Sequence, residues 1–224
     1  MEIRTLKIYS KNINDQENFY RNIIGFKCRR ESESRLSIST KENTLILEKS
    51  RNEFYYHFAF LIPTGAIQKA IIFLEMRNIK LLLLKGNKII DFRSGKAIYF
   101  YDRDGNIVEF IERPSLNYPH KHSFCIDDII KLNEIGLPSP KPQRMAKRLI
   151  SQYKIIPINQ DEFTDHFCWV GDYNGVIIVV KEGRSWLPTD KPGILNDFSL
   201  HYTEEGKDYR LIFANNEIKN SRYL

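Results

Sequence analysis

The first 113 residues of the chain alternate between strand-like and helix-like hydrophobic patterns, and this order occurs twice. Residues 3–10 carry apolar and polar side chains at alternate positions, which predicts a strand with two distinct faces. A short helix follows over 16–24 and ends at Gly25, and three short strands come after it. The same order begins again with a strand at 55–62 and a helix at 66–76. The pattern therefore predicts two units, each with one strand, one helix and three further strands.

The rest of the chain follows the same order less completely. A helix at 142–153 and a hairpin turn at 172–175 indicate a third unit. Two strands at 198–203 and 208–213, with no room for a helix between them, are what remains of a fourth. We therefore predict an α+β fold built from repeated βαβββ modules. The predicted segments are a domain of two modules at 1–113, a linker at 114–122 and a degenerate second half at 123–224.

The charge distribution argues against nucleic acid as a partner. The net charge is +6, but 34 basic residues are interspersed with 28 acidic ones, which is typical of a solvated mixed surface. The most basic segment is the predicted helix at 142–153. Arg144 and Arg148 lie on one side of it and Leu149 on another, as expected for a helix that packs on a core. We predict a small-molecule ligand or substrate as the partner, and no nucleic acid.

The sequence also predicts no association with a membrane. The longest apolar run, residues 81–84, is closed by Lys80 and Lys85 and is far too short to cross a bilayer. The N-terminal residues run directly into a predicted strand without the pattern of a signal peptide. The three cysteines form no CxxC pair, which favours reduced thiols. We therefore expect a cytoplasmic protein.

Three stretches in the first half resemble the signatures of one superfamily. Residues 99–110, YFYDRDGNIVEF, resemble its F-x-DPDGN-x-x-E motif; residues 19–26, FYRNIIGF, resemble its FYxxxLGF helix end; and residues 57–60, HFAF, resemble its HxAF strand. The chain is similar in these motifs to the vicinal oxygen chelate superfamily, which includes glyoxalase I, extradiol dioxygenases, fosfomycin-modifying enzymes and bleomycin-binding resistance proteins. The resemblance implies paired βαβββ modules whose curled mixed sheets surround a cavity, as in glyoxalases and dioxygenases. It also implies that the first two modules form such a cavity together.

The resemblance further implies a divalent metal, Fe, Mn, Ni or Zn, held by the first and last strands of the modules. His57 matches the first-strand histidine of the second module, and Glu109 matches the glutamate after the DGN turn. The equivalent positions of the first module are Thr5 and Ile46, which are not ligands for such a metal. Glu48 lies two residues after Ile46 on the same strand face and is the candidate third ligand.

Two further residues are candidates for catalysis. Lys7 and Tyr9 share a strand face with Thr5 and would contact a substrate there. Lys7 has a second candidate role, in which its ammonium pairs with Glu109 and replaces the metal. The pocket would then be metal-free and suited to an anionic ligand.

Other polar residues allow two readings each. His120 and His122 form an H-x-H pair that can bind a metal, although a solvated linker is the favoured interpretation. Glu134 is either a ligand or catalytic carboxylate or, as favoured, an exposed acid at a strand start. His201 is a further candidate partner of Glu134 in a second ligand pair. Trp186 lies in a loop that either covers a cavity or fills a dimer contact.

Two functions therefore remain open. The first is a metal-dependent dioxygenase or lyase, whose metal chelates vicinal oxygens of a substrate. The second is a metal-free binding module that sequesters a small aromatic or anionic ligand, as the bleomycin-binding members do. Aromatic side chains suited to a planar ligand are predicted for its cavity: Tyr9, Tyr55, Tyr99 and Tyr101. Either protein would be a monomer or a homodimer.

Overall fold

The first module has one strand, one short helix and three further strands. The computed structural model describes residues 1–120, 122–160, 162–215 and 217–219, so Lys121 of the predicted linker lies outside it. The side chain of Asn12 accepts the backbone N–H groups of Asn14 and Asp15 and so caps the helix. Gly25, with φ of 104°, ends it. The elements are β1 (Glu2–Ser10), α1 (Ile13–Glu17), a π-helical continuation (Asn18–Ile24), β2 (Lys27–Ser32), β3 (Arg35–Ser39) and β4 (Thr44–Lys49).

The second module repeats this order with one additional short strand, β7 (Ile90–Phe92). Its helix has a buried apolar stripe that includes Ala70 and Leu74. Its last two strands are joined by a turn in which Asp102 accepts the backbone N–H groups of Asp104 and Asn106. The elements are β5 (His57–Ile62), α2 (Ile67–Glu75), β6 (Leu81–Leu82), β7 (Ile90–Phe92), β8 (Gly95–Tyr101) and β9 (Ile107–Glu112).

The second half of the chain contains two shorter modules, and only the third has a helix among its described residues. The third comprises β10 (Lys131–Ser139), α3 (Pro142–Tyr153), β11 (Phe167–Asp172) and β12 (Gly175–Lys181). The fourth comprises β13 (Phe198–Glu204), β14 (Lys207–Ala214) and β15 (Glu217–Lys219). No helix in the described part of the chain is long and apolar enough to cross a membrane.

The strands form two mixed sheets that are curled but not closed. The first sheet has the order β15-β14-β13-β1-β4-β3-β2, and the second has the order β11-β12-β10-β5-β9-β8-β6, with β7 paired to β8. The first module therefore shares a sheet with the fourth, and the second module shares a sheet with the third. The expectation that the first two modules form one cavity together is wrong. The physical reason is that β1 hydrogen-bonds to β13, and β5 to β10, across the long sequence separation.

The main core uses one face of each strand. Phe58, Phe60 and Phe110 point into this core, where their rings make edge-on contacts at centroid distances of 5.7–6.1 Å. The intervening residues, among them Ala59, point to the opposite face of the second sheet. That opposite face is also covered, so β5 and β9 are buried on both sides. The second face of this sheet carries the candidate site.

Candidate functional site

Three ionisable side chains converge on the covered face of the second sheet. His57 is on β5, Glu109 on β9 and Glu134 on β10, and β5 runs between the other two strands. Ala59 pairs with Glu109 on one side and with Glu134 on the other. Because Ala59 has only a methyl group, the two longer carboxylate side chains have room beside it. One ligand atom of each ionisable residue lies within 4.8 Å of the other two, so together they could hold a metal ion.

The contacts of its two ring nitrogens orient the side chain of His57. Nδ1 lies 3.2 Å from the backbone carbonyl of Ile107, to which it donates as an N–H group. Nε2 lies 3.3 Å from Oε2 of Glu109. A histidine that donates from one nitrogen to a carbonyl presents the other nitrogen to a metal or a proton. The His57 ring is therefore arranged for Nε2 to bind a cation next to Glu109.

Burial and mutual proximity shift the pKa values of the ionisable groups in this cluster. His57, Glu109 and Glu134 are only 7%, 2% and 5% exposed, and buried charges require partners. Burial and the charge of Glu109 raise the pKa of Glu134 above its usual range. Burial alone would lower the pKa of His57, but the hydrogen bond and charge of Glu109 outweigh it and raise that pKa. Burial, followed by the charge of Glu109, also raises the pKa of Tyr99.

The guanidinium of Arg113 lies at the edge of the cluster. The Arg113 side chain is fully buried directly after β9, and it forms an ion pair with Glu134. Its Nε donates to Oδ1 of Asn133 at 2.7 Å, and its guanidinium lies 4.7 Å from the centre of the Trp169 ring. Arg113 therefore neutralises one carboxylate and leaves Glu109 as the carboxylate that faces His57.

The cluster lies at the end of a cavity of about 500 Å³. Tyr99, Trp169 and Tyr173 line this cavity together with Ile178 on β12. Arg93 and Glu162, which are joined by an ion pair at 3.1 Å, also line it where they are exposed to solvent. The cavity is therefore aromatic and apolar along its walls, charged at its opening and ionisable at its end, as is common for a small-molecule site.

The indole of Trp186 covers the histidine. Its ring centre lies 4.8 Å from that of His57, and its side chain is only 5% exposed. The indole can pack here because Gly136 on β10 has no side chain. A Cβ at Gly136 would lie 2.5 Å from the indole. The loop that carries Trp186 is held by Lys191, whose Nζ donates to the carbonyl of Gly105 at 2.7 Å. Trp186 therefore excludes water from one side of the cluster.

Comparison with known proteins identifies the fold. No family model and no curated protein match the sequence. A solved Bacillus subtilis protein, provisionally named a dioxygenase, superposes on 97% of this chain and 83% of its own length, with a TM-score of 0.62 and 13% identity. The chain has the vicinal oxygen chelate fold. Lactoylglutathione lyase from Agrobacterium tumefaciens matches 49% of the chain and 92% of itself, with a TM-score of 0.43 and 16% identity. A glyoxalase/bleomycin resistance protein/dioxygenase from Nocardioides matches 55% of the chain and 89% of itself, with a TM-score of 0.42 and 14% identity.

In this vicinal oxygen chelate fold, the structure brings together His57 and Glu109 but places the other predicted site residues elsewhere. Lys7 and Tyr9 on β1 and Glu48 on β4 all belong to the first sheet. There the Lys7 Nζ lies 3.1 Å from the Glu48 carboxylate and 3.5 Å from the Tyr9 hydroxyl. The predicted grouping of Glu48 with His57 and Glu109 is corrected, because β4 and β5 are in different sheets. The pairing of Lys7 with Glu109 is corrected for the same reason.

Of the four tyrosines predicted to line the cavity, only Tyr99 does so. Tyr99 lines the cavity, whereas Tyr9 packs against Phe54 on the first sheet, with ring centres 5.6 Å apart. Tyr55 and Tyr101 instead hold the Trp186 loop, because the ammonium of Lys191 lies 4.6 Å and 4.8 Å from their ring centres.

Glu134 is the site residue that sequence reasoning undervalued. Its position at the start of a strand favours an exposed acid, but Glu134 is buried in the cluster. His201, its candidate partner, lies in the other sheet. A usable signal was present, because β10 opens its module as β5 opens the preceding one. An acidic residue on that strand is therefore a candidate counterpart of His57. Of the two open roles of the Trp186 loop, the structure supports cavity cover, because the indole lies against His57. Arg113 had no comparable signal, since only tertiary packing brings it to the cluster.

Proposed function

We propose that this protein is a metal-dependent enzyme acting on a small molecule, with His57, Glu109 and Glu134 as the metal ligands. The observation that carries the proposal is the convergence of one imidazole and two carboxylates at the buried end of a cavity. The residues fit a divalent metal, because His57 presents Nε2 while its Nδ1 is bonded to a carbonyl. A nitrogen and oxygen ligand set of this kind suits Fe, Mn, Ni or Zn.

A bound metal would supply Lewis-acid stabilisation of negative charge on neighbouring substrate oxygens. Side chains of the protein would bind the substrate, exclude water and position the metal ligands. The walls formed by Trp169 and Tyr173 would hold a planar or apolar substrate, and Trp186 would exclude water from the His57 side. Arg113 would position Glu134 through their ion pair. The proposed substrate is therefore a small, largely apolar molecule that carries two adjacent oxygen atoms.

The test is metal binding by the purified full chain and by a His57→Ala variant. We expect about one equivalent of metal at this site, lost in the variant, together with an increase in melting temperature when Mn²⁺ or Fe²⁺ is added to the wild type. The matched control is His201→Ala, which removes a partly exposed histidine of the first sheet. Equal metal content in the wild type and His57→Ala would overturn the proposal.

A second candidate function rests on Arg113. Its guanidinium already pairs with Glu134, and a protonated His57 would pair with Glu109, so the cluster can be neutral without a metal. The protein would then be a binding module for an aromatic ligand in the same cavity. Under this alternative, His57→Ala leaves both the metal content and the metal-dependent rise in melting temperature unchanged, and Trp169→Ala weakens binding of an aromatic ligand in the cavity.

A further inference from the structure

A second cluster of metal-ligating side chains lies outside the cavity, in the connector between β9 and β10. This connector contains a 3₁₀ turn at Pro114–Leu116, a bridge from Pro119 to Thr64 and a second 3₁₀ turn at Ile126–Asp128. His120 comes before the second turn, and its side chain is only 1% exposed. His122 is exposed, and Asp128 closes the turn with a side chain that is 10% exposed. The buried members show that this part of the connector is packed.

The two histidines face one carboxylate. Nε2 of His120 lies 3.3 Å from Oδ2 of Asp128, and Nε2 of His122 lies 3.8 Å from Oδ1. The imidazole ring centres are 4.4 Å apart. The three ligand atoms lie within 4.8 Å of one another. Two imidazole nitrogens and a carboxylate therefore already surround a single point.

Neighbouring groups hold these ligands in place. The backbone N–H of Cys125 donates to Oδ2 of Asp128 at 2.8 Å. Nδ1 of His122 lies 2.8 Å from the carbonyl of Ser123, to which it donates, so its Nε2 carries the free lone pair. The orientation of the Asp128 carboxylate is therefore already set in the metal-free protein.

We propose that His120, His122 and Asp128 form a second metal site, separate from the cavity, that takes a divalent transition metal such as Zn²⁺, Ni²⁺ or Co²⁺. Imidazole ligands select these metals over Mg²⁺ and Ca²⁺, and three protein ligands leave a position for water. The site would clamp the connector, because its ligands come from both sides of residues 123–127. None of the three residues lines the cavity, so the site does not depend on the proposed enzyme function.

The ammonium of Lys69 lies next to His120 and should oppose metal binding at this site. Its Nζ lies 3.4 Å from Nδ1 of His120, so it donates to that nitrogen in the metal-free protein. When Nε2 of His120 binds a metal, the neutral ring carries its proton on Nδ1, and Lys69 must move away. Its positive charge also opposes a cation at the site. We therefore expect Lys69→Gln to tighten metal binding several-fold.

The experiment is a Co²⁺ and Zn²⁺ titration of the full chain, followed by metal content, calorimetry and the visible absorption of Co²⁺. The variants are His122→Ala, His57→Ala and the double variant, with His166→Ala as the matched control because His166 is exposed and outside both clusters. We expect His122→Ala to remove one equivalent of metal and its absorption bands. Asp128→Asn, which keeps an acceptor for Cys125, should weaken this binding by about tenfold or more.

The outcomes separate the two sites. Loss of one equivalent in His122→Ala, whatever His57→Ala does, supports the connector site even if the cavity binds no metal. Metal content and Co²⁺ absorption that are unchanged in His122→Ala and Asp128→Asn would overturn it, even if His57→Ala loses metal. Because His122 is 66% exposed, its replacement should leave the melting temperature of the metal-free protein unchanged.

Discussion

At the residue scale, small side chains and glycines decide which larger groups reach the cavity face. Ala59 leaves space between Glu109 and Glu134, and Gly136 leaves space for the indole of Trp186. Gly95, with φ of 152°, lies where a Cβ would be 1.9 Å from the carbonyl oxygen of Glu112, immediately before Arg113. These positions contribute no ligand, yet each one controls the approach of a site residue.

The contact of Gly136 with Trp186 can be tested by a double-mutant cycle. Gly136→Ala should lower the free energy of unfolding by about 1–3 kcal/mol, because the new methyl group overlaps the indole. The same change in a Trp186→Phe background should cost less, since the smaller ring leaves room. Denaturant unfolding of the four proteins measures both costs. Equal costs in the two backgrounds would show that the indole does not occupy this space.

The close approach at Gly95 has a matched control in Gly86. Both glycines have positive φ, but a Cβ at Gly86 would meet nothing within 4 Å. Gly95→Ala should therefore destabilise the protein by about 1–3 kcal/mol more than Gly86→Ala, because it adds a backbone clash to the conformational strain. Urea unfolding of both variants measures the difference, and equal destabilisation would contradict the prediction.

At the scale of elements, one turn residue connects the two sheets. Asn43, in the turn between β3 and β4, donates from Nδ2 to the carbonyls of Ile3 on β1 and Leu132 on β10 at 3.1 Å and 3.0 Å. Its Oδ1 accepts the N–H of Leu132 at 2.8 Å. The side chain is 6% exposed, so water does not readily replace these bonds. The first sheet and the strand that carries Glu134 are thereby held together.

Replacement of this residue should be costly. Asn43→Ala leaves buried backbone groups without partners and should lower the free energy of unfolding by about 2–4 kcal/mol. The matched control is Asn22→Ala on the exposed helix surface, where a change within about 0.5 kcal/mol is expected. Thermal and denaturant unfolding measure both. Similar small effects for the two variants would show that the bridge is not a structural connection.

At the scale of the whole molecule, the modules pair as first with fourth and second with third. Both sheets therefore join strands from before and after the predicted linker at 114–122. The candidate site depends on this pairing, because Glu134 reaches His57 only through the contact of β10 with β5. The full-length superposition on one solved protein, with a TM-score of 0.62, covers all of these modules together.

Truncation tests whether 1–113 is an independent domain, as its sequence predicts. The topology leads us to expect that residues 1–113 alone lack cooperative unfolding, because β1 and β5 lose their partners β13 and β10. Co-expression with residues 123–224 should restore a complex with a sharp thermal transition. Circular dichroism and amide hydrogen exchange report the result. Cooperative unfolding of 1–113 by itself would support the sequence-based division instead.

The fold class, most of the order of the elements and two members of the cluster could be predicted from the sequence alone. These features depend on local patterns: the alternation along β5 separates His57 from Phe58, and the DGN turn leads to Glu109. The pairing of the modules, in contrast, is a property of the tertiary structure. Strand pairing joins β5 to β10 across the sequence, and no local pattern specifies a partner strand. For that reason Glu48, Lys7 and Tyr9 lie on another sheet, while Glu134 and Arg113 complete the cluster.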